Sequence, residues 1–361
     1  MRGTGESVIQ MSTPQESSTV HAVAAQPAFS FLTTAYRTAD TLPRTIRSVL
    51  DQTRTDWELV IVDNGFDDEI AAVVEPYLAD PRIRFVRQEN AGAAGGTMAA
   101  ASRATGRYLV PLNSDDAVTP EFCARTGDLL DDDPGIAAVT TDAFQFIDPG
   151  ERVMTNSYLK DAGIRSVPDP EKPVRLEDVI DGPSPYYTAA IRREMWDALG
   201  GLHSDTPLVD DLDFWLRALV AGYDVRMLAQ RLGRFRMQSG SVSRPDEPER
   251  IEQFEGQRER ALTKAAATSE DPEVLAALDR VLRRLRYGQA IRRARLAFRR
   301  GDIDDARTHA ARAWAQRRTV RVAAIKAGLT LSPRLLGAVH PLKQRLYDRL
   351  DTVRKLGLRR G

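Results

Sequence analysis

The chain has 361 residues, of which 42% are hydrophobic and 28% charged, a composition that is typical of a globular protein and excludes a disordered or fibrous one. This length favours one large α/β domain with a helical appendage over a single small domain. The formal net charge is zero, yet residues 281–361 hold 22 basic and 5 acidic residues, so this tail carries about +17 and the body about −17.

The compartment is indicated by what the sequence lacks. A single cysteine, Cys123, cannot form an internal disulfide, which favours a reducing compartment. No apolar run approaches the roughly 18 residues of a membrane span, and residues 1–27 read as a polar, flexible leader without a signal-peptide core. We therefore expect a cytoplasmic protein, soluble or attached peripherally to the inner face of the plasma membrane.

Four strand–helix units follow the leader. Residues 29–35 form an apolar, β-branched run, and Leu42, Ile46 and Val49 then recur at helical spacing. The later units pair residues 57–63 with 70–78, residues 83–87 with 95–104, and residues 108–112 with a helix that opens at Thr119-Pro120. This alternation predicts an α/β fold with a doubly wound, mainly parallel sheet in the order 3-2-1-4, in a catalytic domain spanning residues 28–245.

The second half of the chain is less regular. Residues 144–184 are rich in proline and suggest a loop over the substrate site. Leu208, Leu212, Trp215 and Leu219 then mark one face of a helix that ends near Gly222. Residues 246–361 read as a basic helical C-terminal region, within which residues 290–318 suggest a helical hairpin.

Acidic residues follow the fourth predicted strand. Asn113, Ser114, Asp115 and Asp116 lie between that strand and a helix start, at the sheet edge where α/β proteins bind ligands. Carboxylates there can hold Mg²⁺ or Mn²⁺, which neutralises the charge of a diphosphate leaving group. The alternative is an acidic turn that caps the next helix.

Polar residues also end the first two predicted strands. Thr34 and Ala35 end the first, and Asp63 ends the second within Val62-Asp63-Asn64-Gly65. A carboxylate at this position can accept the imide N–H of a uracil ring, while nearby backbone groups meet its other edge. The alternative for Asp63 to Gly65 is an ordinary tight turn.

These segments, in this order and spacing, resemble the signature of family 2 glycosyltransferases over about residues 29–245. The matching segments are Leu32–Arg37, Val62–Gly65, Asn90–Gly92, Ala104–Tyr108 and Leu112–Asp116. The resemblance implies a GT-A fold and an inverting displacement from a nucleotide sugar, commonly UDP-linked. It places the donor nucleotide at Thr34, Ala35, Tyr36, Asp63, Asn90 and Ser114, and the metal at Asp115 and Asp116.

Three positions depart from the family pattern. Asn113 replaces the first aspartate of the metal motif, and Gly95-Gly96-Thr97 lacks the arginine that relatives often carry. Gln238 replaces a histidine that in many relatives follows the arginine matched here by Arg236. Because an amide is a poor Mn²⁺ ligand, we expect Arg236 and Gln238 on the phosphate or acceptor side and Asp115 as the main metal ligand.

The predicted catalytic base lies further along the chain. Asp210, Asp211 and the following Trp215 resemble the family's acidic pair and Trp-Leu-Arg run, and Asp213 can pair with Arg217 four residues on. At a helix start, the helix dipole favours an ionised aspartate, which a base requires. We expect Asp211 as the base, Asp210 as its orienting partner and Trp215 on the acceptor side; the alternative is that both acids cap the helix.

The sequence leaves alternatives for the function and the partners of the protein. A catalytically impaired nucleotide-sugar-binding protein on the same fold is the main alternative, whereas a dehydrogenase is disfavoured because no Gly-x-Gly-x-x-Gly follows the first strand. Tyr186, Tyr187 and Trp196 suit either sugar stacking or core packing. The expected acceptor is a saccharide, a lipid-linked molecule or a small molecule. The basic tail suits an anionic membrane surface or a solvated helix, and no nucleic acid is expected.

Overall fold

The computed structural model describes residues 26–148, 150–164, 167–203, 205–238 and 247–331. Their core is a nine-stranded mixed sheet in the order β3-β2-β1-β4-β8-β6-β9-β5, with β7 paired to β6. The strands are β1 Phe29–Ala35, β2 Trp57–Asp63, β3 Ile83–Arg87, β4 Tyr108–Pro111, β5 Ala117–Val118, β6 Ile136–Ile147, β7 Arg152–Ser157, β8 Ala190–Arg192 and β9 Asp224–Arg236.

Helices cover both faces of this sheet and continue beyond it. They are α1 Leu42–Leu50, α2 Asp68–Val74, α3 Gly92–Ala101, α4 Phe122–Asp132, α5 Tyr158–Ala162, α6 Leu176–Asp181, α7 Arg193–Leu199, α8 Asp210–Val220, α9 Pro248–Ala266, α10 Pro272–Arg299, α11 Ile303–Gln316 and α12 Val320–Leu331. A short 3₁₀ turn, Glu75–Tyr77, extends α2. No helix in the described part of the chain has the length and apolar character that crossing a membrane requires.

The first half of the sheet is the predicted one. Strands β3, β2, β1 and β4 pair in parallel in that order, with Ala35 opposite Asp63 at the carboxyl ends of β1 and β2. All seven residues of β2 are buried because helices cover both faces of the sheet, which explains why its sequence is an almost unbroken apolar run. The predicted strand order 3-2-1-4 is therefore confirmed.

The second half of the sheet differs from the prediction. Strand β8 is antiparallel to both β4 and β6, while the long strands β6 and β9 pair in parallel with shifts of register. The predicted loop at 144–184 instead contains β7, α5 and α6. Strand β7 is mostly exposed, so its sequence shows no apolar alternation, and only its pairing with β6 defines it.

The first two C-terminal helices pack against helices that precede them in the chain. Helices α9 and α10 share one apolar cluster with α6 and α8, which includes Ile180, Leu216, Leu262 and Val281. The end of α10, α11 and α12 then pack through small residues such as Ala310, and Gly301 makes the predicted hairpin turn with a φ of 82°. Residues 1–25 of the predicted leader (1–27) and the predicted domain boundary at 245/246 lie outside the described residues. So do apolar residues of the basic tail whose helical spacing in the sequence favours an amphipathic helix, namely Leu335, Leu336, Val339, Leu342 and Leu346.

Candidate active site

The predicted site residues of the first three strands meet at one edge of the sheet. The backbone N–H of Asn64 donates to the carbonyl of Ala35 (2.8 Å), and that of Leu112 donates to Leu32 (3.0 Å). These bonds join the ends of β1, β2 and β4. The segment that carries Asp115 therefore lies in the same crevice as Thr34, as expected for a parallel sheet whose strands end together.

Asp63 is fully buried at the end of β2. Arg87, at the end of β3, donates through Nε to Asp63 Oδ2 at 2.9 Å, and it also pairs with Asp68. The other oxygen of Asp63, Oδ1, is buried and has no hydrogen-bond partner among the described residues. A buried acceptor without a donor is costly, so this oxygen is suited to a ligand N–H. Arg87 is not among the site residues predicted from the sequence, although it is a basic residue at the end of the third predicted strand.

Asn64 organises the loop that carries Asn90. Its side-chain oxygen accepts hydrogen bonds from Gln88 Nε2 (2.8 Å) and from the backbone N–H of Ala91 (3.1 Å). Its amide nitrogen donates to Asn90 Oδ1 (3.2 Å) and to the carbonyl of Gly92 (2.9 Å). Asn90 itself is exposed at the start of α3. Asn90, which is predicted to bind the donor nucleotide, is thus held in place by Asn64, for which the sequence suggested only a role in a turn.

Helix α3 approaches strand β1 very closely at Gly96. A Cβ at this position would lie 2.2 Å from Thr34 Cγ2, and Thr34 Oγ1 is 3.2 Å from Thr97 Oγ1. Only glycine allows this approach, so a larger residue in its place would require α3 to move away from β1. Tyr36, 43% exposed beyond β1, packs its ring against Gly65 and under the guanidinium of Arg37.

Ser114 and Asp116 support the loop after β4. Ser114 Oγ accepts a hydrogen bond from Thr38 (2.9 Å), and its carbonyl accepts one from Thr41. Asp116 is 1% exposed, its Oδ1 accepts the backbone N–H of Arg236 (2.6 Å), and its Oδ2 accepts the hydroxyl of Tyr187. Burial, with the nearby charge of Asp115, raises the pKa of Asp116 well above its usual value.

The prediction of Asp116 as a metal ligand therefore needs correction. Both of its oxygens are already bound, so its role in the structure is to join the loop after β4 to strand β9. The hydroxyl oxygen of Tyr187 also accepts the backbone N–H of Asn113 (3.4 Å), so Tyr187 links two residues of the same loop. Tyr187 and Asp116 are 71 residues apart, and no spacing in the sequence indicates their contact.

Asp115 is the carboxylate in this loop that faces the crevice. Its side chain is 23% exposed, and its nearest cation is Arg236, with Nη1 3.8 Å from Oδ2. Burial is the main cause that raises the pKa of Asp115. Among the described residues, no three or more His, Cys, Asp or Glu side chains are grouped to hold a metal ion. A divalent cation would thus have one protein carboxylate here, a number that suits Mg²⁺ or Mn²⁺ when a diphosphate and water supply the other ligands.

Arg236 and Gln238 lie on the same side of the crevice as Asp115. The guanidinium of Arg236 donates through Nε to Asp148 (2.6 Å) and through Nη1 to Gln238 Oε1 (2.9 Å). Arg44 pairs with the same Asp148 at 3.2 Å. Arg44 and Asp148 were missed in the sequence, because α1 and the end of β6 come together only when the sheet forms.

Asp210 and Asp211 open helix α8 as predicted. Asp210 Oδ1 accepts the backbone N–H of Asp211 (3.0 Å), and Asp211 Oδ1 accepts that of Leu212 (2.7 Å). Burial and the charge of Asp211 raise the pKa of Asp210 to about 7, and burial also raises the pKa of Asp211. The expected lowering of these pKa values by the helix dipole is therefore outweighed by loss of hydration.

The rest of α8 is structural. Asp213 accepts a hydrogen bond from Arg217 Nε at 2.7 Å, which confirms the predicted pair, and Arg217 also donates to the carbonyl of Gly201 (2.7 Å). Trp215 is 1% exposed and packs on Phe214, so its predicted place on the acceptor side is wrong. Tyr186 and Trp196 are likewise buried in the core.

Comparison with known sequences finds similarity to glycosyltransferases in the first part of the chain. Residues 30–197 match the family model described as Glycosyl transferase family 2. Chondroitin synthase of Escherichia coli is 33% identical over 133 residues, which cover 37% of this chain and 19% of the relative. The putative teichuronic acid biosynthesis glycosyltransferase TuaG of Bacillus subtilis is 40% identical over 93 residues, or 25% of this chain and 37% of the relative. The chain thus spans less than two fifths of either relative.

Solved structures share the fold at low sequence identity. S. aureus TarS 1–349 in complex with UDP-GlcNAc aligns with a TM-score of 0.52 and 15% identity, covering 80% of this chain and 91% of that one. The mannosyltransferase PcManGT from Pyrobaculum calidifontis, in complex with GDP-Man and Mn²⁺, aligns with a TM-score of 0.52 and 18% identity, covering 87% and 84%. The mixed, mainly parallel sheet flanked by helices is therefore a GT-A-type fold, and residues 30–197 of the chain match the family model of glycosyl transferase family 2.

Proposed function

We propose that the protein is an inverting glycosyltransferase that moves a sugar from a UDP-linked donor to a saccharide, lipid-linked or small-molecule acceptor. The observation that carries the proposal is the buried oxygen of Asp63 that lacks a hydrogen-bond partner among the described residues, at the end of β2 in the crevice that also holds Asp115. The family match supports the reaction class, and the relatives named for polysaccharide and teichuronic acid synthesis favour a polysaccharide or glycoconjugate acceptor.

The base of the nucleotide is recognised by Asp63. Its unpaired Oδ1 accepts the imide N–H of uracil, while Arg87 binds Oδ2 and holds the carboxylate in place. Guanine also carries an N–H that a carboxylate accepts, and the structural neighbours include a UDP-sugar complex and a GDP-mannose complex. We favour uracil, the base of the donors that are common in the family, and expect Tyr36, which lies under Arg37 and against Gly65, to border the base.

The diphosphate is placed beside Asp115. Mn²⁺ or Mg²⁺, held by Asp115, the phosphate oxygens and water, would neutralise the charge that develops on the leaving group. Asp116 and Tyr187 keep the loop in the position that this requires, because they tie it to β9. Arg236 adds a fixed positive charge 3.8 Å from Asp115, on the side where the diphosphate lies.

The acceptor is activated at the start of α8. Asp211 takes the proton of the acceptor hydroxyl while the acceptor oxygen attacks the anomeric carbon of the donor sugar. The bond from that carbon to the diphosphate oxygen breaks in the same step. The single displacement inverts the configuration. Asp210, next to it, is the orienting partner. Burial raises the pKa of Asp211, which makes its carboxylate a stronger base than an exposed aspartate.

Nucleotide binding and donor turnover together test this proposal. Calorimetry with Mn²⁺ is expected to show UDP binding more tightly than GDP or ADP. Asp63→Asn replaces one carboxylate oxygen by an amide NH₂ group and is expected to weaken UDP binding at least about tenfold. UDP-sugars should then release UDP slowly in water and faster with an acceptor. Equal or tighter binding of a purine diphosphate would reject the donor assignment, and tight binding without any turnover would favour the catalytically impaired binding protein.

A further inference from the structure

The guanidinium of Arg236 lies where a diphosphate needs positive charge. Its Nη1 is 3.8 Å from Asp115 Oδ2, although Asp115 is also the carboxylate that would hold a metal ion. The side chain of Arg236 is only 18% exposed, and that of Asp115 23%, so water screens their charges less than at an open surface. A protein cation and a metal ion would therefore act on the same phosphate groups.

The position of this guanidinium is built by several contacts. Its Nε is bound to Asp148, which Arg44 holds from the other side, and its backbone N–H is bound to Asp116. Hydrogen bonds from Arg44 and from Arg236 lower the pKa of Asp148, so this anchor remains ionised near neutral pH. An arginine held in this way loses little conformational freedom when a phosphate binds, and its planar fork suits two phosphate oxygens.

The metal side of the crevice is correspondingly sparse. Asp116 has both oxygens bound within the protein, and Gln238 accepts from Arg236. A cation at Asp115 thus has a single carboxylate from the described residues, and its remaining ligands depend on the donor itself. Because the protein supplies only this carboxylate, we expect the metal ion to bind weakly without the donor. Fixed charges of the protein would then neutralise a part of the negative charge of the diphosphate.

We infer that Arg236 is a built-in cation for the donor diphosphate, which shares this role with the metal ion and makes nucleotide binding only partly dependent on metal. The inference rests on the proposed function, because it concerns the same crevice. It adds that Arg236 and the metal ion substitute for one another in part. Removing either should weaken binding moderately, whereas removing both should weaken it strongly.

Calorimetry of UDP binding to the full chain tests the inference. With the unaltered protein, replacing Mn²⁺ by EDTA is expected to weaken UDP binding by less than about tenfold. In the Arg236→Gln variant, the affinity for UDP should fall about tenfold in Mn²⁺ and at least about a hundredfold in EDTA, relative to the unaltered protein in the same buffer. Arg236→Lys keeps the charge without the fork and should retain measurable binding in EDTA.

Arg234→Gln provides the matched control. Arg234 lies two residues earlier on β9, pairs with Glu151 and undergoes the same change of charge, so its nucleotide binding should remain within about twofold in both buffers. Thermal unfolding of each variant checks that the fold is retained. If Arg236→Gln fails to fold, Arg236→Lys decides by comparison with Arg234→Lys.

Two results would overturn the inference and leave the proposed function standing. One is UDP binding by the unaltered protein that is present in Mn²⁺ and undetectable in EDTA. The other is an Arg236 variant that binds UDP in EDTA as well as its Arg234 counterpart. If neither UDP nor GDP binds in either buffer, the proposed function fails as well, so the two failures are distinguishable.

Discussion

At the residue scale, Asp115 and Asp116 are neighbours with opposite roles. Asp115 faces the crevice and makes few internal contacts, whereas Asp116 is buried and joins the loop after β4 to strand β9. We expect Asp115→Asn to reduce donor turnover by at least about a hundredfold, through lost electrostatic stabilisation, with little change in the melting temperature. Donor hydrolysis and thermal unfolding measure the two quantities.

Asp116→Ala is the comparison for Asp115→Asn. It leaves the Arg236 N–H and the Tyr187 hydroxyl without their acceptor, and an unsatisfied buried donor costs about 1–3 kcal/mol. Its melting temperature should therefore fall by several degrees, more than that of the Asp115 variant. If Asp115→Asn were the more destabilising change, or if EDTA left activity unchanged while Asp115→Asn retained full turnover, the assignment of these roles would be wrong.

Asp210 and Asp211 differ in the same way between chemistry and support. Asp211→Asn should leave UDP affinity nearly unchanged and lower turnover by about two to four orders of magnitude, the range for a lost general base. Asp210→Asn should lower it less, because Asp210 only orients its neighbour. A larger loss for Asp210→Asn than for Asp211→Asn would show that the two roles are reversed.

The pH dependence follows from the direction of these pKa shifts. A base acts only when it is ionised, so the raised pKa of Asp211 predicts that kcat/KM falls on acidification at a higher pH than an aspartate of ordinary pKa would cause. Burial is the main cause of the raised pKa of Asp211, whereas the charge of Asp211 contributes to the raised pKa of Asp210, so Asp210→Asn should leave this acidic limb in place. A limb that moves to lower pH in this variant would contradict this assignment of causes.

At the element scale, the approach of α3 to β1 depends on Gly96. A Cβ there would lie 2.2 Å from Thr34 Cγ2, so Gly96→Ala should destabilise the protein by about 1–3 kcal/mol and weaken UDP binding, because Thr34 lies in the predicted nucleotide site. Urea unfolding and calorimetry measure the two effects. The double variant Gly96→Ala with Thr34→Ala removes the methyl group that clashes and should recover most of the stability.

Gly288→Ala is the control for the helical glycine. Gly288 lies within α10, where a Cβ would meet only the flexible tip of Arg292 at 3.5 Å. Because alanine is the better helix former, this change should stabilise by up to about 1 kcal/mol. Equal effects of the Gly96 and Gly288 substitutions would rule out close packing as the reason for glycine at position 96.

Elements differ in how far the sequence predicts them. Strands β1, β2 and β3 have the predicted bounds because each is a compact apolar run between turn residues. Helix α3 begins at Gly92, three residues before the predicted start, because Asn64 binds the Gly92 carbonyl and fixes the preceding loop. Strand β7 is largely polar and β9 carries many charged residues, and only their partners in the sheet define these strands.

At the scale of the whole molecule, the basic tail is partly neutralised by the body. Arginines of α10 pair with acidic residues of α6 and α9, as in Arg280–Asp181, Arg284–Asp181, Arg286–Glu259, Arg292–Glu255 and Arg293–Glu252. The charge left to meet an anionic surface therefore lies further along the chain. Burial is the main cause that lowers the pKa of Arg295 in α10. The nearby positive charges of Arg321 in α12 and of Arg299 lower it further.

This distribution leads to a prediction about membranes. We expect the chain to float with anionic vesicles at low salt and to be released by salt, because clustered arginines contribute about 1 kcal/mol each near an anionic leaflet. Arg295→Gln with Arg321→Gln should weaken flotation, whereas Arg286→Gln with Arg293→Gln, which removes paired arginines, should weaken it less. Folded, active protein that stays out of anionic vesicles at low salt would support the alternative of a solvated helical surface.

The sequence by itself determined the parallel half of the sheet, the family resemblance and the strand ends that carry Asp63 and Asp115. These features are local, because an apolar run makes a strand and the carboxyl ends of parallel strands share an edge. Only the tertiary structure decided that Asp116 and Trp215 are structural, since Tyr187, the N–H of Arg236 and the core reach them from distant segments. Likewise, contacts across more than 80 residues place Arg236 between Asp115 and Asp148, and such contacts leave no periodicity in the sequence.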